Sequence, residues 1–137
     1  MRSIALLALC ISLASAAVGC NRDAPVPASS DPEGKDLVEG AIVAAVESSG
    51  GVRLYKIIHA DDYPDPAGPE YHMIAYKPKA ITFQDAANLW AFRRKEVSIE
   101  LNHILVRLVN FGKRDHRVLA VEPVTEEEKA PYLKNRR

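Results

Sequence analysis

Val38-Glu39-Gly40-Ala41-Ile42-Val43-Ala44-Ala45-Val46 leads into Ser48-Ser49-Gly50-Gly51 and then Val52-Arg53-Leu54-Tyr55-Lys56-Ile57-Ile58-His59. Both flanks are rich in β-branched and apolar residues, which suit a pleated surface, and the paired glycines supply the positive φ that a tight reversal needs. The stretch therefore predicts a β-hairpin, and a hairpin needs further strands before it is stable.

Downstream, Asp61 to Pro69 holds three prolines, three aspartates and a glycine, which excludes a regular element. Tyr71 to Tyr76 reads as a short third strand. Thr82 with Asp85 then makes a capping-box pair, and Phe83, Ala86, Ala87 and Trp90 fall on one helical stripe. Arg93, Arg94 and Lys95 are expected in the last turn, where cations suit the helix dipole.

Val97, Ile99 and Leu101 alternate with polar residues, the pattern of a half-buried strand, and Ile104 to Phe111 continues it after a bend at Asn102-His103. Gly112 to Asp115 turns the chain into a last strand, Arg117 to Val121. Thr125 with Glu128 caps a short terminal helix that Pro131 is expected to limit. The expected fold class is α+β and strand-rich. It is a small antiparallel sheet, or a partly open SH3-like barrel, of about five or six strands with one amphipathic helix packed on it.

The first 36 residues have another character. Met1-Arg2-Ser3 is a short basic start, and Ile4 to Ala17 is apolar or small apart from Ser12 and Ser15. That run is shorter than the ~20 apolar residues a membrane span needs, so 1–19 reads as a secretory signal peptide. Two cleavage sites compete. Ala14-Ser15-Ala16 is an A-x-A site, and Ala17-Val18-Gly19-Cys20 resembles the lipobox of bacterial lipoproteins, departing from it in having Ala17 where Leu is usual. Charged and turn-forming residues begin directly after Cys20, which favours the lipobox. The resemblance implies lipidation of Cys20 and a membrane anchor in the bacterial cell envelope. Asn21 rather than Asp after the cysteine implies the outer membrane, facing the periplasm.

Residues 20–36, with Pro25, Pro27, Pro32, Ser29, Ser30 and Gly34, read as a disordered tether reaching about 20 to 50 Å. Residues 37–137 form a single domain, large enough for one core. Cys10 lies in the signal and Cys20 is the other cysteine, so no disulfide is expected. Past the signal the chain carries 17 Lys+Arg (18 less Arg2) against 18 Asp+Glu, which gives no electrostatic case for nucleic acid.

The run from Gly40 to Trp90 resembles a group of small uncharacterised bacterial domains through Asp61-Asp62-Tyr63-Pro64, His72-Met73-Ile74-Ala75 and Ala86-Ala87-Asn88-Leu89-Trp90. The hairpin alone is similar to SH3-like barrels and, more loosely, to immunity proteins that neutralise toxins. None of these resemblances implies an activity.

The densest polar cluster is His59, Asp61, Asp62, Tyr63, Asp65, Glu70 and His72. Of these, His59, Asp61, Asp62, Tyr63 and His72 are the candidate binding-loop residues. Imidazoles and carboxylates at one end of a sheet suit zinc or manganese, or a general base. Against this, no HExxH, paired CxxC, EF-hand, G-x-S-x-G or phosphate-loop pattern occurs, and loop aspartates serve turns. The expected function is thus a membrane-anchored interaction domain with no catalytic residues, cofactor or metal, and an envelope protein as partner. The alternatives are a small metal-dependent hydrolase using His59, Asp61, Asp62 and His72, and an immunity-type protein.

Overall fold

A computed structural model describes residues 22–31, 33–62, 66 and 68–136 of the chain. In it the hairpin forms from β1 (Ala41–Val46) and β2 (Val52–Asp61), paired antiparallel from Ile42↔Lys56 to Val46↔Val52. Gly50 and Gly51 make the reversal at φ +87° and +80°. Three strands complete the sheet: β3 (Glu70–Lys77), β4 (Ser98–Arg107) and β5 (His116–Val121).

The order is β4-β3-β2-β1-β5, with every neighbouring pair antiparallel. Strands β4 and β5 are the two edges, so the expected small sheet is the form taken and the barrel is not. Gly40, at φ +87°, sits where β1 meets the end of β5, and a Cβ there would lie 2.2 Å from the Glu122 carbonyl oxygen. Only glycine fits that approach.

Both faces of the sheet are covered, which is why β1 is apolar at successive positions instead of alternating. On one face Ile42, Leu54, Ile58, Ile74 and Tyr76 pack against Leu89 and Trp90 of α1 (Phe83–Phe92) and Tyr132 of α3 (Glu126–Asn135). On the other, Val43, Tyr55, Ile57 and Met73 lie under Leu37 and Phe111, the latter on the single-turn helix α2 (Leu108–Phe111). Each fully buried side chain of this size contributes about 1.5–3 kcal/mol of transfer free energy.

Both capping boxes form: Thr82 with Asp85 opens α1 and Thr125 with Glu128 opens α3. Four local expectations change. Leu108 to Phe111 is helical rather than strand, because β3 begins at Glu70, opposite Arg107, and the next residue in register is Pro69, which has no N–H to continue the ladder. The Leu108 amide still donates to the Pro69 carbonyl at 3.1 Å, and the turn drops Phe111 edge-to-face onto Tyr55.

Helix α1 ends at Phe92, so Arg94 and Lys95 fall in a following 3₁₀ turn (Arg94–Glu96). Arg94 lies 3.3 Å over the Trp90 ring and is held by both Glu122 oxygens. Helix α3 continues through Pro131, whose missing N–H would have met the carbonyl of exposed Glu127.

The fourth change concerns the segment read as a tether. Residues 22–31 lie against the domain. The Ala24 amide donates to Asn88 Oδ1 at 2.8 Å, and Gln84 Nε2 donates to the Ala24 carbonyl at 2.7 Å. Ser30 adds to the free edge of β5, its amide on the His116 carbonyl and its Oγ accepting from Val118 N. Hydrogen bonds to a ready-made surface hold this stretch, so its few apolar side chains need not.

Candidate functional site

The β2–β3 register sets His59 directly opposite His72 and Asp61 opposite Glu70. On the far side of β3, His72 faces Leu105 and Met73 faces Ile104, so His103 stands diagonally from His72 on the same side of the sheet. The expected bend at Asn102-His103 is a bulge, where these two residues oppose Ile74 alone. Helix α3 then lays Tyr132 and Asn135 over the three histidines.

The result is one continuous chain of hydrogen bonds and charged contacts. Asn135 Nδ2 lies 3.0 Å from His103 Nδ1, and His103 Nε2 lies 2.8 Å from His72 Nδ1. His72 Nε2 lies 2.9 Å from Asp61 Oδ2, while His59 Nε2 approaches Asp61 Oδ1 at 3.2 Å and His59 Nδ1 approaches Glu39 at 3.5 Å. Lys129 closes the line on Glu39 at 2.7 Å.

When the rings are neutral, the partners dictate the tautomers. The Asn135 amide is a donor, so His103 Nδ1 accepts and Nε2 carries the proton. His72 then accepts at Nδ1 and donates from Nε2 to the carboxylate. All six ring nitrogens face a protein group. Tyr132, buried, stacks on His59 at 4.8 Å and tilts against His72 at 4.5 Å.

Electrostatics follow from this geometry. Burial raises the Asp61 carboxyl, but the His72 hydrogen bond and the charges of both histidines outweigh it and hold its pKa below the ordinary value. The Lys129 hydrogen bond lowers Glu39 against a smaller effect of burial, with His59 assisting. Burial, then the charge of His72, lowers His103 below the usual histidine pKa of 6.5. An open cavity of about 300 Å³ lies over the chain, lined by Asp61, His72, His103, Leu105 and Arg136 among others.

Of the candidate residues, the structure brings together His59, Asp61 and His72. Asp62, past the end of β2, does not join them: its charge acts instead on the Tyr71 hydroxyl, on the other face of the sheet, raising it after burial and Asp36. Glu70 turns to Arg107 at 2.7 Å. Tyr63, Asp65 and Cys20 lie outside the described residues.

Tyr132, Asn135 and Glu39 escaped the sequence reading, since none stands near the loop in sequence; His103, legible as a hydrogen-bonded histidine at the strand bend, could not be tied to the loop. His116, the first residue of β5, is buried against Phe111, with Nδ1 donating to the Arg114 carbonyl at 2.9 Å.

Among the described residues no group of three or more His, Cys, Asp or Glu is arranged to hold a metal ion. Zinc ligands meet at a shared point about 2.0–2.2 Å away, whereas these imidazoles and carboxylates point at one another. Neither a family model, nor a curated protein, nor a solved structure matches the chain.

Proposed function

We propose that this chain is a lipid-anchored protein of the bacterial cell envelope whose domain binds a protein partner without catalysis. The observation that carries the reading is the closed histidine–aspartate chain, in which all six ring nitrogens are engaged. Such a wall is ordered before any partner arrives, which lowers the entropy cost of association. Around it Leu105 is 53% exposed and Arg136 is exposed, the mixed apolar and guanidinium surface that partners favour. The anchor rests on Cys20 and the apolar run before it.

Capture from detergent-solubilised membranes tests the binding surface. Wild-type protein is expected to retain a specific partner that Leu105→Asp with Arg136→Glu loses while its circular dichroism stays unchanged. Tyr63→Ala with Asp62→Ala reports on the loop separately. Equal recovery by every variant would dismiss this end of the sheet as the contact, and recovery of a toxin would favour the immunity-type reading. For the anchor, the wild type should incorporate labelled palmitate and Cys20→Ala should not.

One observation favours a second reading. The Asp61–His72 pair at 2.9 Å has the form of an oriented general base. Asp62 stands outside that pair, so a hydrolase here would have to work through His59, Asp61 and His72; as a metal-dependent one it would need stoichiometric metal in the purified protein, and metal analysis decides it.

A further inference from the structure

The docked segment changes where a lipid on Cys20 holds the domain. Asn88 Nδ2 donates to the Asp23 carboxylate at 3.0 Å, and Ala24 is clasped by Asn88 and Gln84. Cys20 precedes Ala24 by four residues, a covalent reach of at most about 14 Å. A free 17-residue tether would have allowed about 20 to 50 Å.

Asn88 belongs to the outer stripe of α1. Ile81 lies outside the helix, just before the N-cap Thr82, and Phe92, the last helical residue, stands four positions after Asn88 on the same helical face. They are 86% and 59% exposed. At 1.5 Å per residue Phe92 lies about 6 Å along the axis from Asn88, within reach of the anchor. Exposed basic residues stand close by in the chain: Arg22 on the docked segment, and Arg93 and Lys95 directly after Phe92. Among nearby acids, Asp85 caps the helix, Asp23 takes Asn88 and Glu96 faces Arg93 at 3.5 Å.

We infer that the outer face of α1 rests on the lipid bilayer, with Phe92 and Ile81 seated at the headgroup–acyl boundary and Arg22, Arg93 and Lys95 at the phosphates; this rests on the lipid-anchor reading. The acyl chains supply the affinity. The helix face and the clasp at Ala24 set the orientation, so the domain lies flush on the membrane instead of at the end of a spacer.

The test uses the full chain carrying Phe92→Trp, expressed in a bacterial host, fractionated and reconstituted from the membrane fraction into phosphatidylcholine–phosphatidylglycerol vesicles containing brominated lipid. Wild type, whose single tryptophan Trp90 is buried, gives the background. The expected result is loss of emission from the introduced indole well beyond that background, and a smaller loss when Gln84→Ala and Asn88→Ala release the segment. Membrane-recovered Phe92→Trp protein quenched no more than the wild type overturns the flush orientation and leaves the anchor standing. Quenching indifferent to the release variants overturns the role of the clasp. Recovery of the wild type in the soluble fraction overturns the anchor itself, and the orientation with it.

Discussion

His103 acquires its chemistry from neighbours that are distant in sequence: His72 across the sheet and Asn135 on the last helix. Its lowered pKa means that the folded state resists protonating it. The stability this contributes is complete above the ordinary pKa of 6.5 and is lost as pH falls through that range toward the folded value. Thermal unfolding followed against pH should show this early acid limb, and His103→Gln should flatten it. Long-range nitrogen–proton NMR should find Nε2–H tautomers at His72 and His103, and an Nδ1–H form at His103 would break the proposed chain.

Glu47 marks a separate, more acidic window. Burial raises its carboxyl, but Lys79, the Tyr55 hydroxyl at 2.8 Å and Arg53 prevail and bring it from 4.5 to about 2. Its contribution is therefore present above pH 4.5 and lost as pH falls toward 2. Glu47→Gln should remove that limb at a cost of a few kcal/mol at neutral pH, measurable by urea denaturation.

The elements differ in how legible they were. Helix α1 was readable because Thr82, Asp85 and the Phe83–Trp90 stripe are local signals that tertiary packing reinforced. The β1–β2 hairpin was readable because Gly50-Gly51 leaves little choice of turn. The end of β4 was not, since Leu108 to Phe111 is as apolar as any strand and what stops it is Pro69, just before β3. Helix α3 was only half visible: its cap was read, but not the burial of Tyr132 or the tie to β2.

That tie is Lys56, 4% exposed on β2, whose Nζ donates to both Glu128 oxygens and the Pro123 carbonyl, each at 2.9 Å. Glu128→Ala should cost about 3–5 kcal/mol, since it strands a buried ammonium, while Lys56→Met with Glu128→Leu should cost far less. Equal losses in both, measured by chemical denaturation, would count against the buried pair. Gly40→Ala should destabilise by at least about 2 kcal/mol through its positive φ and the Glu122 carbonyl.

At the scale of the whole molecule, the two sheet edges are treated differently. Ser30 covers part of β5, whereas β4 leaves Ile99, Leu101 and Leu105 about half exposed along an unpaired edge. Ser30→Ala should raise hydrogen exchange at the Val118 amide without unfolding the domain, and unchanged protection there would mean that the segment does not guard that edge. By itself the sequence determined the strand-rich class, the hairpin, the capped helices and the crowding of His59, Asp61 and His72, because these follow from local propensity and two-residue alternation. Only the tertiary structure decided that Asp62 leaves that cluster, that His103, Tyr132 and Asn135 complete it, and that residues 22–31 lie docked. Each of these depends on strand register or on hydrogen bonds between residues some thirty to ninety positions apart, which local patterning does not encode.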